Sequence, residues 1–329
     1  MRRAPSYPLS WSERIPMRVK LTQEVLKDGA GLDDILTLVR HFVHGRHEWV
    51  VDPRSLDDIA LFFRKHAPTR AQAYQELAQK SLVSQAWQSA DKVQPVVHIY
   101  AGTVGEQVED LSRPAVLVVE DLISDGSFVR AIAHAFGEQG VAHALDSGWL
   151  EIRHGGGKDR ARDCAHDERQ RFRHTIRLAI LLDSDRMVPG EFTSCHKIAE
   201  ALEREGIKTH VLELRETENY VPNHVLHTLL PYRDISKRIT SLKELSQDQR
   251  GHFDMKKGFP TDTDGRGRIP SSQTDLFSGV PGRVVDSLTR GFGPNLNGRL
   301  RSQVENGRIT AAHFSSVGDG VASELQGIL

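Results

Sequence analysis

Cysteine is nearly absent: only Cys164 and Cys195 occur in 329 residues, neither in a Cys-x-x-Cys pair. That excludes a disulfide framework and a structural zinc site, and both residues are read as plain thiols. Long apolar runs are missing too. No stretch approaches the roughly 18 apolar residues of a spanning helix, and the basic start Met1-Arg2-Arg3-Ala4-Pro5-Ser6 has no apolar segment behind it. The expectation is a cytoplasmic protein with no membrane association. Charge of one sign is not in excess either, since the formal net charge is -1. Whole-molecule attraction to phosphates is therefore missing, and any anion-binding site must be local or shared. What is present, 38% hydrophobic and 26% charged residues, is the make-up of a globular chain long enough for two domains, which leaves out fibrous and wholly disordered readings.

Residues from about 20 to 90 read as helices, with one apolar cluster at Ile35, Leu36, Leu38 and Val39 and another at Ile59, Phe62 and Phe63 behind a Ser55 cap. The His41, His44, His47 triplet contains Gly45 and has no accompanying carboxylates or thiols, so it is not read as a metal site. The middle of the chain changes character. Apolar runs of strand length alternate with amphipathic stretches, as in a parallel α/β sheet. The strands are Ala115 to Val119, a weaker one near Trp149 to Ile152, Leu178 to Leu182, and Thr209 to Leu214. Helices are expected over 127–139, after the Gly155-Gly156-Gly157 triplet, and over 191–205 with Gly206 as its stop. The mixed run Lys158 to Arg173 reads as a solvated helix face. Beyond Pro231 the chain reads as mostly helical, with a polar loop from Thr261 to Gln273 and no role assigned to the last fifty residues. The expected division is thus a helical region 1–112, an α/β domain 113–232 and a mostly helical region 233–329.

Ligands of an open parallel sheet bind beyond the carboxyl ends of its strands. The first clear strand runs directly into Glu120-Asp121 and the third into Asp183-Ser184-Asp185. On an extended chain, residues i and i+2 point to one side and lie roughly 6–7 Å apart, so Asp183 and Asp185 could face one ion or an adjacent pair. Clustered carboxylates repel, and the usual remedy is a hard divalent cation, Mg²⁺ or Mn²⁺, that also holds substrate phosphate oxygens. The alternative is that each acid caps the helix after its strand. A Glu and an Asp-x-Asp at equivalent strand ends favour the metal. The triplet ahead of Lys158 is not a Walker A motif, because Asp159 follows the lysine where Ser or Thr is needed; the more modest expectation is a tight turn with a phosphate-contacting Lys158.

These residues resemble a known family. Val118-Val119-Glu120 with Asp125 soon after, the glycine-rich turn into Lys158, and Leu182-Asp183-Ser184-Asp185-Arg186 are similar to the TOPRIM domain of topoisomerases, primases, ribosomal-RNA maturation nucleases and OLD-type nucleases. The resemblance covers about 113–232 and implies a TOPRIM-like Rossmannoid parallel sheet. It makes Glu120 a metal ligand or general base, Asp183 and Asp185 ligands, and Lys158 and Arg186 substrate-binding residues. Asp125 would be the second acid of the first motif, although it sits one residue farther on than the family pattern. Arg215 to Tyr220 and Phe253 to Phe259 are similar to segments of TOPRIM proteins in bacterial phage-defence systems, which often act beside an ABC-type ATPase. Glu218 could complete the carboxylate cluster, and Lys256 or Lys257 could neutralise charge on the scissile phosphate. The implied activity is Mg²⁺- or Mn²⁺-dependent cleavage of DNA or RNA, compatible with a homo-oligomer. No ATPase motif is present, so nucleotide-driven control is expected from a partner.

The main rival is a phosphoacceptor receiver domain, which Val116 to Asp121 and Leu182-Asp183 also resemble. The 63 positions from Glu120 to Asp183 exceed its compact spacing. Haloacid-dehalogenase-like phosphatases and nucleotide-sugar transferases share Asp-x-Asp but leave Glu120 unexplained. A non-catalytic subunit that keeps the fold is a further alternative. Topoisomerase and primase readings need a large gate or a zinc module that this length and cysteine count do not provide.

Overall fold

A computed structural model describes residues 16–29, 31–87 and 95–329. The Met1 to Ser6 stretch and the end of the expected 20–90 helical region lie outside them. The elements in order are β1 (Met17–Leu21), α1 (Gln23–Asp28), α2 (Leu32–Val43), β2 (His47–Trp49), α3 (Leu56–His66), α4 (Ala71–Ala86), β3 (Val96–Ile99), α5 (Val104–Ser112), β4 (Ala115–Val119), α6 (Ser124–Ala135), α7 (Gln139–Asp146), β5 (Leu150–His154), α8 (Lys158–Arg169), β6 (Leu178–Leu182), α9 (Ser194–Arg204) and β7 (Lys208–Val211). The helices α10 (Asn223–Leu226), α11 (Tyr232–Lys243), α12 (Gln247–His252), α13 (Gly282–Ser287), α14 (Leu296–Glu305) and α15 (Val321–Ile328) follow. The chain divides into two compact units. One takes in the described residues up to 116 with 143–151 and 168–177; the other takes in 117–142, 152–167 and 178–329.

The first unit holds the expected helices, but it also holds a three-stranded parallel sheet of order β2-β1-β3. The helical reading of 1–112 is corrected on this point. These strands are only three to five residues long, and β1 buries alternate residues (Met17, Val19, Leu21), so they carry too little apolar signal to stand out beside α2 and α3. Ile35, Leu38, Val39, Trp49, Phe63 and Ile99 form the core. The buried Arg177 donates to Leu111 O (3.0 Å) and Arg113 O (2.6 Å), and Arg46 donates to Ser112 O (2.5 Å), so cations meet the negative end of α5. Among the three histidines of the triplet, His47 bonds its own fold: Nδ1 accepts from Met17 N (3.3 Å) and Nε2 lies 2.9 Å from Leu111 O. Burial holds His47 well below the ordinary imidazole range.

The four-stranded sheet has the order β5-β4-β6-β7, and both sheets are wholly parallel. Every residue of β4 and β6 is buried, as continuous apolar strands covered on both faces should be. Strand order reverses between them: the chain moves from β4 to β5 on one side and then returns to β6 on the other. The crevice beyond the carboxyl ends of β4 and β6 is therefore where a ligand of such a sheet is expected. In the second unit α14 packs against α6, so residues 233–329 belong with the sheet's carboxyl ends rather than to a third body. Leu296 and Leu300 of α14 are fully buried. Among the described residues, no helix is long and apolar enough to cross a membrane.

Candidate functional site

The end of β4 is fixed by the glycine triplet. Gly155 N donates to Val119 O (2.8 Å), and Gly156 N and Gly157 N donate to Glu120 O (2.9 and 3.3 Å). Gly156 and Gly157 have φ of 79° and 95°, a region that favours glycine. A Cβ on Gly155 would stand 2.4 Å from Ala161 Cβ and 2.9 Å from Val119 O. The triplet thus lets α8 close onto the strand end, and Lys158, the first residue of α8, reaches Asp185 Oδ2 at 2.8 Å. Asp121 takes the capping role considered for all these acids, since its Oδ1 accepts from Ile123 N (2.7 Å) and Ser124 N (2.9 Å). That cap starts α6 three residues before the expected position.

The two strand ends meet through Asp183 N, which donates to Glu120 Oε1 (3.2 Å). Asp183 Oδ1 accepts from Thr217 N (3.0 Å), whereas Ser184 is buried and donates to Leu214 O (2.7 Å). Regular pairing stops at Leu182, so the extended i, i+2 geometry does not carry to Asp185. Its φ is +54°, the one positive φ of a non-glycine among the described residues. Asp183 is half-buried against other acids, while Asp185 is exposed on Lys158. Cys195 lies 3.6 Å from Asp185 Oδ2, and burial pushes its thiol up to about 12, which makes it unreactive as a thiolate.

A third segment, the turn at Thr217–Tyr220, supplies Glu218, with Glu216 just before it. Glu218 is buried. Its Oε1 accepts from Ser124 Oγ (2.8 Å) and its Oε2 from Thr217 Oγ1 (3.2 Å). Asp125 Oδ2 accepts from Asp121 N (2.8 Å) and Oδ1 from Thr217 Oγ1 (3.2 Å), so its later position in the motif still brings it to the cluster. Lys256 lies 3.1 Å from Glu216 Oε2 and 3.2 Å from Glu218 Oε2. Sequence reasoning missed Glu216 as a site residue, although it stands two residues before Glu218 in a segment with motif likeness. Asn297 gives no sequence signal at all; it is fully buried and donates through Nδ2 to both Ser124 Oγ (2.9 Å) and Thr217 Oγ1 (2.8 Å).

Two expected residues stand apart. Lys257 is exposed and only its backbone N–H engages Asp254 (2.8 Å). Arg186 spends its guanidinium on Glu191 O (3.0 Å), Glu213 Oε2 (2.7 Å) and His196 Nε2 (2.9 Å), tying down the loop after β6.

Burial, with Asp185 and Asp125 nearby, raises Glu120 to about 7. Burial and Glu218 raise Asp125 to about 6, and burial and Glu218 raise Glu216 to about 7. Asp183 is held well above the usual carboxylate range by burial together with Asp125 and Glu120. Burial favours a neutral Lys256, but Glu216 and Glu218 outweigh it and hold the ammonium above its ordinary value. These carboxyls bind protons more tightly folded than unfolded, so their contribution to stability is complete below about pH 4 and lost as pH rises through about 6–7. Without metal, Glu120→Gln should therefore lose less melting temperature than wild type between pH 5 and pH 8. Equal losses in thermal melts would show that Glu120 is not strained by its neighbours.

The donor set consists of carboxylate oxygens, which suits a hard divalent cation, and Glu216 Oε1 is buried with no hydrogen-bond partner. Among the described residues, no three His, Cys, Asp or Glu side chains are disposed to enclose an ion as they stand; Thr217 and Lys256 bridge the acids instead. No family model, no curated protein and no solved structure matches the chain.

Proposed function

We propose that the protein is a metal-dependent nuclease of TOPRIM type that hydrolyses phosphodiester bonds of DNA or RNA. The observation that carries this reading is the convergence of Glu120 and Asp183 from neighbouring strands at the point where strand order reverses, both pushed toward protonation by burial and then by further acids. Glu120, Asp183 and Asp185, with Asp125 and Glu218, would hold Mg²⁺ or Mn²⁺, and the bound cation would supply charge stabilisation on the phosphate and lower the proton affinity of attacking water. Glu120 receives the Asp183 N–H at Oε1, which leaves Oε2 to take a proton from water. Its raised proton affinity suits that role near neutral pH. Lys256 offsets the charge of Glu216 and Glu218, and Lys158, about a third exposed, exchanges Asp185 for a phosphate oxygen. The resemblance adds a setting, an effector of bacterial phage defence controlled by a partner ABC-type ATPase.

One observation favours a second reading, a TOPRIM-fold binding subunit without chemistry: the acids are bridged by Thr217 and Lys256 rather than arranged around an ion. The deciding experiment incubates the protein with DNA and RNA panels in Mg²⁺, in Mn²⁺ and in chelator. Cleavage that requires either metal is the expected result. Nucleic-acid binding with no cleavage in any metal would favour the binding subunit, and acetyl-phosphate labelling of Asp183 would favour a receiver.

A further inference from the structure

Asn297 lies 80 positions beyond Thr217 and 173 beyond Ser124, yet one amide nitrogen contacts both hydroxyls. The proton count at these atoms is restrictive. A hydroxyl has one proton to give and lone pairs to receive with. Because the Asn297 amide donates to Ser124 Oγ and Thr217 Oγ1, each hydroxyl must send its own proton elsewhere. For Ser124 the acceptor is Glu218 Oε1 at 2.8 Å; for Thr217 it is Glu218 Oε2 or Asp125 Oδ1, both at 3.2 Å. The opposite amide orientation would turn both hydroxyl protons toward Asn297 and away from the carboxylates. It would also leave the amide donors without the hydroxyl acceptors. Asn297 Oδ1 has no hydrogen-bond partner, so the side chain acts here through its donors alone.

We infer that Asn297 is a positioning residue for the candidate active site, aiming the Ser124 and Thr217 protons at Glu218 and Asp125 and so fixing the orientation of those two carboxylates. The inference rests on the nuclease reading for its effect on cleavage, but not for the hydrogen-bond arrangement itself. It also connects the C-terminal region to the site, because α14, packed on α6, carries the amide to the carboxylates. Side chains that orient ligating carboxylates typically change metal affinity or activity by roughly 10–100-fold when removed.

The test uses Asn297→Leu, which keeps the volume and removes both donors without adding a carboxyl, alongside Ser124→Ala, Thr217→Val and the combinations. In full-length protein, Asn297→Leu should lower kcat/KM for metal-dependent cleavage by roughly 10–100-fold. In the Ser124→Ala, Thr217→Val background it should cost little more, since the groups it acts through are gone. Full additivity of the losses would overturn the inference and leave a packing role. A second readout needs no activity: in protein labelled with ¹³C at glutamate carboxyls, the Glu218 signal, assigned by Glu218→Gln, should shift in Asn297→Leu. An unmoved Glu218 signal overturns the inference even if the protein cleaves nucleic acid. A shifted signal in a wild type that cleaves nothing supports the arrangement and removes the nuclease reading alone.

Discussion

Glu120→Gln is expected to lower metal-dependent cleavage by roughly 10²–10⁴-fold while circular dichroism and the melting temperature stay at or above wild-type values. The amide can still receive the Asp183 N–H at its carbonyl oxygen, so the junction between β4 and β6 survives. What is lost is the anionic oxygen that takes a proton and shares a cation. Glutamine also removes repulsion from Asp185 and Asp125, two of the causes that raise Glu120 to about 7, and that relief favours the fold. Asp183→Asn should behave alike, because the carbonyl oxygen keeps the Thr217 N–H. Addition of Mn²⁺ should raise the melting temperature of wild type more than that of either variant. Cleavage at the wild-type rate in Glu120→Gln would remove the central proposal.

Lys256→Met is expected to destabilise the protein by about 3 kcal/mol, whereas Lys257→Ala should change stability by no more than about 0.5 kcal/mol. The contrast follows from where the two neighbours point. Lys256 lies between Glu216 and Glu218, whose side chains are 10% and 1% exposed, and removing it strands two acids away from water. Lys257 is exposed and makes no ion pair among the described residues. Urea denaturation at pH 8 measures both changes. Repeating it at pH 5 should recover part of the Lys256→Met loss, since Glu216, raised to about 7, is then protonated. A Lys256→Met midpoint equal to wild type at pH 8 would withdraw the role of Lys256 as counter-charge.

The sheet's centre and the acids at its edge are readable in the sequence for one reason. A strand covered on both faces is apolar at every position, and Ala115 to Val119 and Leu178 to Leu182 are such runs, so the first acids after them mark the sheet's edge. Glu218 and Asp125 are reached through motif likeness, and the structure brings both to the same cluster. The sheet of the first unit is not legible, because β1, β2 and β3 are short and their alternation is easily lost among helix-length apolar clusters. Asn297 is invisible for a different reason. Its meaning depends on hydroxyls 80 and 173 positions away, and no local period encodes such a meeting. Arg186 shows a different limit: the sequence places a basic residue beside a motif but does not show its contacts with Glu191, Glu213 and His196.

The left-handed backbone at Asp185 restricts which residues can stand there. Asparagine and aspartate tolerate that conformation better than other side chains with a Cβ, and glycine takes it without penalty. An alanine at this position would change charge and backbone comfort together, so its effect could not be assigned to either. Asparagine changes the charge alone, and glycine removes the carboxylate while relaxing the chain. The pair therefore separates electrostatics from conformation at one residue.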